Sequence, residues 1–240
     1  MIDIIMPFKN VNNYRLKNLK FLLKYYIKND FNIILVEQDT NTELNEIEND
    51  IKHVYFKNDV EHFSLSKCFN YGVIHSNADY LILLDADIYI EQTVLNDIKK
   101  IKNENRLVIL YDTNVIMLNE NITNDLITKH VLYYNVSSVI PFLTVGGARF
   151  ISRVSYYKIG GNDENFIGWG GEDNAFYIKS KKLLGITRTN NKIYHMYHPK
   201  NTPVVNKKDK KEYLRKIRKM PRKEFNKYIE QQQNQFLKYY

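Results

Sequence analysis

The stretch Tyr80-Leu81-Ile82-Leu83-Leu84-Asp85-Ala86-Asp87 decides the fold of this 240-residue chain. The apolar run Tyr80–Leu84 has the length of a buried strand, and two carboxylates follow it at once. Carboxylates at the end of a core strand cost free energy unless something compensates their charge. A divalent cation with bound phosphate is a common compensation, because such cations prefer oxygen ligands. The stretch therefore predicts a strand that ends at a metal and diphosphate site.

Short apolar runs of similar length surround this stretch and alternate with helical patterns. The predicted strands are Ile2–Met6, Asn32–Val36, His53–Phe56, Tyr80–Leu84 and Leu107–Tyr111. The predicted helices are Tyr14–Lys28, Ser64–Ser76 and Thr93–Lys102. This alternation predicts an α/β fold with a mostly parallel central sheet flanked by helices. Ligands of such sheets bind beyond the carboxyl ends of the strands, where Pro7, Glu37 and the Asp85/Asp87 pair fall.

A second stretch, Gly168-Trp169-Gly170-Gly171-Glu172-Asp173, places two acids after a flexible glycine loop. An acid in this position is well placed to act as a general base at the mouth of a site. The alternative is that Glu172 and Asp173 only stabilise the N-terminus of a helix. Trp169 offers a flat apolar face for a sugar ring, or else packs in the core. A metal–diphosphate site together with a base indicates group transfer from a nucleotide donor.

The positive charge of the chain is concentrated at its C-terminus. Residues 206–240 hold 12 of the 35 Lys and Arg residues and 4 of the 27 Asp and Glu residues, which leaves 23 of each for residues 1–205. The body is therefore neutral and gives no electrostatic reason to expect nucleic-acid binding. Cys68 is the only cysteine, which excludes an internal disulfide.

The order of the motifs resembles that of glycosyltransferases with the GT-A fold, near families 2 and 7. These families include bacterial chondroitin-type polymerases and β-1,4-galactosyltransferases. The matching segments are Ile4–Asn10, Phe63–Gly72, Asp85–Asp87, Gly146-Gly147, Gly160–Glu164, Gly168–Asp173 and Ile193–His198. The resemblance implies a metal-dependent, inverting transferase that moves a sugar from a UDP-sugar to a hydroxyl acceptor such as a glycan.

The resemblance also implies roles for single residues. Asp173 corresponds to the catalytic base, with Glu172 as the alternative. Asp87 corresponds to a direct ligand of Mn²⁺ (or Mg²⁺), and His195 to a further ligand with His198 in reserve. A methionine precedes the metal histidine in the galactosyltransferases, and here Met196 precedes His198. The donor would be bound by Pro7, Phe8, Lys9, Glu37, Phe63, Lys67, Asp85, Ala86, Asp87, Gly147 and Trp169.

Thr144 bears on the choice of donor. In the resembled galactosyltransferases, the position two residues before the Gly-Gly pair borders the 2-substituent of the donor sugar. Because Thr144 is small, we expect room there for an N-acetyl group. UDP-N-acetylhexosamine is therefore predicted to serve at least as well as a plain UDP-hexose, unless Thr144 merely packs beside the strand.

Two domains are predicted, a GT-A domain at 1–205 and a basic helical extension at 206–240 that is interrupted near Pro221. Apolar residues of the extension form a stripe among basic ones, at Leu214, Ile217, Phe225, Tyr228 and Ile229. Such a helix could lie on an anionic membrane, and the alternative is a helix packed against the body. The sequence shows no signal peptide and no apolar run of membrane-spanning length. We therefore expect a cytoplasmic protein, peripheral at the membrane if the extension binds there.

Two other functions are compatible with the same motifs. One is a retaining transferase on the same fold, such as the polypeptide N-acetylgalactosaminyl type. The other is a catalytically silent carbohydrate-binding or scaffold protein, against which the intact Asp85, Asp87, Asp173 and His195 argue. A nucleotidyltransferase is a more distant alternative, because no glycine-rich triphosphate loop is recognisable.

Overall fold

The computed structural model describes residues 1–42, 44, 50–57, 62–101, 105–132, 138–140, 144–199 and 206–239, with the backbone alone at 138–140. The strands are β1 Ile2–Phe8, β2 Asn32–Asp39, β3 Ile51–Lys57, β4 Tyr80–Leu84, β5 Ile88–Tyr89, β6 Leu107–Ile109, β7 Val115–Met117, β8 Ser138–Ile140, β9 Ala148–Ser152, β10 Ile186–Arg188 and β11 Ile193–His195. The helices are α1 Asn13–Lys28, α2 Leu65–Ile74, α3 Gln92–Ile98, α4 Glu120–Lys129, α5 Arg153–Lys158, α6 Glu172–Leu183, α7 Lys207–Lys219 and α8 Arg222–Phe236, followed by a 3-10 turn at Leu237–Tyr239.

The described strands form two sheets that meet at the predicted site. The larger sheet has the order β10-β6-β9-β4-β1-β2-β3 and the smaller one the order β5-β11-β7-β8. In the larger sheet β1 pairs in parallel with β2 and β4, and β2 with β3. Only β9 runs antiparallel there, between β4 and β6. The predicted α/β fold with a mostly parallel central sheet flanked by helices is confirmed.

Alternating residues of each central strand face opposite layers of helices. In β1, Ile4 and Met6 join the core beneath α1, whereas Ile5 joins the core beneath α2. This period of two, with both faces apolar, is what buries a parallel sheet on both sides. Because β1, β2 and β4 run parallel, their carboxyl ends lie at one edge of the sheet. That edge positions the site.

One glycine, Gly72, lets helix α2 pack directly against β1 and β2. Ser64 caps its N-terminus by accepting a hydrogen bond from the Lys67 amide at 3.4 Å. A Cβ atom at Gly72 would overlap the side chain of Ile5 and would lie 2.8 Å from Cγ2 of Val36. Only glycine leaves room for this approach, which brings the N-terminal end of α2 up to the site edge.

The basic tail packs against the body through its apolar stripe. Helices α7 and α8 supply Ile217, Phe225, Tyr228 and Ile229 to a third apolar cluster, in which the body supplies Phe166, Ala175 and Ile178. The basic helical tail is thus confirmed, and it takes the alternative arrangement, a helix packed on the body. The predicted membrane contact has no support in the structure, because four of the five apolar side chains of the stripe are buried and Leu214 is half-buried.

The predicted domain boundary at residue 205 lies outside the described residues, so the division into two domains stays a prediction. Among the helices in the described ranges, none combines the length and the apolar character that crossing a bilayer requires.

Candidate active site

The turn that follows β4 is fixed from both sides by backbone hydrogen bonds. The Asp85 amide donates to the carbonyl of Gly147 at 2.9 Å, and the Ile88 amide donates to the carbonyl of Asp85 at 3.2 Å. On the other side, the Met196 amide donates to the carbonyl of Asp87 at 2.8 Å. The acidic turn is therefore tied to two segments that follow it much later in the chain.

These ties place both late histidines beside Asp87. Strand β11 pairs antiparallel with β5, so that His195 lies opposite Ile88. Nε2 of His195 lies 3.6 Å from Oδ1 of Asp87, and Nε2 of His198 lies 3.2 Å from Oδ2. Ligand atoms of the three side chains all lie within 4.8 Å of one another, and Asp87 is buried. One carboxylate and two imidazoles in this arrangement are a candidate metal centre.

Charge around Asp87 favours its ionised form. Burial raises the pKa of Asp87, but the imidazoles of His195 and His198 and the guanidinium of Arg15 outweigh that effect and hold the pKa below its usual range. Nη2 of Arg15 lies 3.2 Å from Oδ2 of Asp87. Oδ1 of Asp87 has no hydrogen-bond partner among the described residues. An ionised, buried oxygen without a partner fits a bound cation at this position.

The pKa values of the two histidines are shifted in opposite directions. Burial lowers the pKa of His195, although the charge of Asp87 opposes the change. The hydrogen bond from His198 to Asp87 raises the pKa of His198. The lowered pKa of His195 favours the neutral imidazole that binds metals, and the shift of His198 reflects its contact with the Asp87 carboxylate.

The second stretch opens helix α6 beside the first. Gly171 precedes the helix with φ +99°, which places Glu172 and Asp173 in its first turn. A Cβ atom at Gly146 would overlap Oδ2 of Asp173, so the Gly146-Gly147 pair leaves the space that this carboxylate fills. Because the carbonyl of Gly147 accepts from Asp85, the glycine pair joins the metal side of the site to the base side.

A buried arginine faces Asp173 from inside the sheet. Arg149 lies on β9 and is 1% exposed, and its Nη1 lies 2.9 Å from Oδ1 of Asp173. Its guanidinium carbon lies 5.3 Å from the ring centre of Phe69 and 4.8 Å from that of Phe176. The base side therefore has its own internal cation, held between two aromatic rings.

Two further acids of the cluster have raised pKa values. Burial, followed by the negative charges of Asp173 and Asp87, raises the pKa of Asp85 well above its usual range. Burial and the charge of Asp173 likewise raise the pKa of Glu172. Such shifts mark sites where carboxylates are crowded in a cleft, and they are typical of functional sites.

The remaining donor-binding candidates lie around this centre. Ala86 is buried in the acidic turn, and Pro7 precedes Phe8, the last residue of β1, which is fully buried in the core. Glu37 is also fully buried, and its Oε2 accepts from Thr42 Oγ1 at 2.8 Å and lies 3.0 Å from Nε2 of His53. Neither Phe8 nor Glu37 has exposed surface, so their predicted contacts with a donor stay predictions.

The other candidates lie at the rim. The carbonyl of Phe63 accepts from the Gly168 amide at 3.0 Å, which ties the start of α2 to the glycine loop. Trp169 on that loop is 62% exposed, and its carbonyl accepts from Nζ of Lys210 at 2.9 Å. Lys9 and Lys67 are half-buried. The exposure of Trp169 leaves its ring face open to a ligand and excludes the alternative that it packs in the core.

Sequence reasoning missed Arg15 and Arg149. Arg149 had a signal, since a charged residue inside the apolar run Ala148–Ile151 is unusual for a core strand. Arg15 had none, because a basic residue in the first turn of a helix is usually solvated.

Comparison with known sequences gives one family. The chain matches the family described as glycosyltransferase like family 2 over residues 3–230. No curated protein matches the chain.

Comparison with solved structures gives the same fold at low sequence identity. The catalytic domain of Drosophila β1,4-galactosyltransferase 7 in complex with xylobiose has a TM-score of 0.52 and 17% identity, over 89% of this chain and 79% of that one. S. aureus TarS 1–349 in complex with UDP-GlcNAc has a TM-score of 0.60 and 14% identity, over 99% and 72%. GalNAc-T7 with UDP, GalNAc and Mn²⁺ has a TM-score of 0.58 and 15% identity, over 95% of this chain and 50% of that one. At these identities the likeness shows the GT-A fold alone.

Proposed function

Because this chain belongs to glycosyltransferase-like family 2 and is a glycosyltransferase, we propose that it moves a sugar from a UDP-sugar to a hydroxyl acceptor, with inversion at the anomeric carbon. One observation carries the proposal. Ionisable side chains from separate parts of the chain, the turn after β4, the start of α6 and the end of β11, converge at one edge of the sheet. Several of their buried polar atoms have no partner among the described residues, as in a site built to receive a ligand.

The donor side of the site fits a divalent cation. Asp87, His195 and His198 would hold it, and this mixture of carboxylate and imidazole suits Mn²⁺. When bound, the ion would offset the negative charge that gathers on the departing diphosphate. Two similar structures support this part of the proposal. GalNAc-T7 was solved with UDP and Mn²⁺, and a mutant of Drosophila β1,4-galactosyltransferase 7 was solved with manganese and UDP-Gal.

The acceptor side performs the proton transfer. The acceptor hydroxyl oxygen forms a bond to the anomeric carbon while the bond from that carbon to the UDP oxygen breaks. The hydroxyl proton passes to Asp173, whose Oδ1 already faces Arg149. A single displacement of this kind inverts the anomeric configuration, whereas a retaining enzyme would give the other anomer. Trp169, exposed on the adjacent loop, would stack on a sugar ring of the acceptor or donor.

Thr144 supports an N-acetylated donor. Its Oγ1 is buried next to the phenol of Tyr111 without an aligned hydrogen bond among the described residues, and its carbonyl accepts from Nη2 of Arg188 at 2.9 Å. The hydrogen bond from Arg188 holds the backbone of Thr144, and the amide of an N-acetyl group would compete with Tyr111 for the hydroxyl. A glycan is the acceptor that we propose, and the cytoplasmic location expected from the sequence stays a prediction that cell fractionation would check.

The test is a donor panel with the purified protein, Mn²⁺ and glycan acceptors. We expect UDP release that depends on Mn²⁺, a product of inverted anomeric configuration, and turnover of UDP-N-acetylhexosamines at least as fast as that of UDP-glucose or UDP-galactose. Thr144→Tyr should reduce turnover of the N-acetylated donors selectively, whereas Thr187→Tyr on the exposed edge strand should not. Retention of configuration would overturn the mechanism, and a Thr144→Tyr variant with unchanged donor preference would overturn the donor assignment.

A further inference from the structure

Arg149 lies where a charged side chain is expensive. It sits in the middle of the larger sheet, opposite Leu83 on β4 and Ile109 on β6, and is 1% exposed. An arginine keeps its charge even when buried, so its guanidinium needs compensation inside the protein. Phe69 and Phe176 supply aromatic ring faces, which compensate only part of the cost.

The described contacts give Arg149 a single ionic partner. Nη1 lies 2.9 Å from Oδ1 of Asp173 as an ion pair, but Nε, Nη1 and Nη2 all lack an aligned hydrogen-bond partner among the described residues. An arginine kept only for stability would be expected to use its five donors more fully.

The pairing gives the two oxygens of Asp173 different surroundings. Oδ1 faces the buried arginine, whereas Oδ2 occupies the space left by the absent Cβ of Gly146. The carboxylate is therefore held in one orientation by a cation on one side and a glycine on the other. A base held in one orientation accelerates proton transfer, because small misplacements of reacting groups are costly.

We propose that Arg149 is a positioning residue for the general base: it binds Oδ1 of Asp173 and so leaves Oδ2 as the oxygen that accepts the acceptor's proton. This inference rests on the proposed function, in which Asp173 is the base. Arg149 touches neither donor nor acceptor in this scheme and acts through Asp173 alone. The stacking of its guanidinium against Phe69 and Phe176 fixes the arginine, which in turn fixes the carboxylate.

The test is a double-mutant cycle with Arg149→Met, Asp173→Asn and the double variant, measured as kcat, donor KM and Mn²⁺-dependent UDP affinity. Arg149→Met should lower kcat roughly 10- to 100-fold, the range expected when a reacting group is misplaced, while UDP affinity and donor KM stay near their wild-type values. In the Asp173→Asn background the same substitution should cause no further loss of kcat. Arg153→Met, at the start of α5 away from the site, serves as the arginine control and should leave kcat unchanged.

The outcomes separate the two proposals. Losses of kcat that multiply in the double variant, or an equal loss of UDP affinity, would show that Arg149 is structural and would overturn the inference while leaving the base in place. Normal turnover of Asp173→Asn would overturn the base itself and, with it, the inference. If Arg149→Met does not fold, Arg149→Lys keeps the charge without the planar fork and should retain part of kcat. An Arg149→Lys variant with wild-type kcat would show that orientation by the fork is not required.

Discussion

At the scale of single residues, the sequence predicted the acids and histidines of the site but not their counter-charges. Asp87 and His195 could be predicted because each stands in a motif whose order resembles that of a known family. His198, kept only in reserve, lies closer to Asp87 than His195 does. Arg15 and Arg149 could not be predicted, because a one-dimensional pattern shows that a position is buried without showing which charge it faces.

The metal centre gives the prediction that belongs to this scale. Asp87→Ala should abolish Mn²⁺-dependent UDP binding, since it removes the charged member of the trio. His195→Ala and His198→Ala should each weaken Mn²⁺ binding at least about tenfold, because even residues that only orient metal ligands cost roughly 10- to 100-fold. Calorimetric titration of Mn²⁺ in the presence of UDP measures both effects. His75→Ala, at the end of α2, is the control, and unchanged Mn²⁺ affinity in Asp87→Ala would disprove the assignment.

At the scale of elements, long periodic segments were predicted well and short ones were missed. Helix α1 and strands β1, β2 and β4 lie where the apolar periodicity put them. Strands β5, β7 and β11 have two or three residues, too few to show a period of two, and they are defined by tertiary pairing instead. These short strands belong to the smaller sheet. Strand β11, which brings the histidines to Asp87, therefore could not be predicted from the apolar pattern of the sequence.

The attachment of α8 to the body gives the prediction at this scale. Asp163 is fully buried, and its Oδ2 accepts from Tyr228 Oη at 2.6 Å and from Tyr213 Oη at 3.0 Å. Tyr228→Phe should lower the free energy of unfolding by about 1.5–3 kcal/mol, the range for hydrogen bonds to charged groups. Tyr213→Phe should cost less, because its bond is longer and its side chain is half-buried. Urea unfolding of both variants measures this, and equal stabilities of Tyr228→Phe and wild type would contradict the prediction.

At the scale of the whole molecule, the body and the tail share an apolar cluster. Phe166, just before the glycine loop, is 1% exposed and packs against Tyr213 at 5.4 Å between ring centres. The family match also continues across residue 205 to residue 230. The change in charge near residue 205 follows the exposed faces of α7 and α8, whereas their buried faces share an apolar cluster with the body.

A truncation tests the predicted division into two domains. A fragment ending at residue 205 would expose Phe166, Ala175 and Ile178 and would remove both tyrosine donors to Asp163. We expect it to be aggregation-prone, less stable and inactive, although no tail residue belongs to the metal trio. Thermal unfolding and turnover measure the outcome. The control is the full chain with Lys211→Gln and Arg215→Gln on the exposed face of α7, which should match wild type. A folded, active fragment would establish residues 1–205 as an independent domain.

The residues around Asp87 are synthesised at different times, because they lie far apart along the chain. During synthesis Arg15 emerges first, Asp87 follows, and His195 and His198 leave the ribosome only in the last part of the chain. A nascent chain can thus neutralise Asp87 with Arg15 from α1 long before both imidazoles exist. The three candidate ligands come together only when β11 pairs with β5, so under the proposed function a cation would bind after most of the chain has been synthesised.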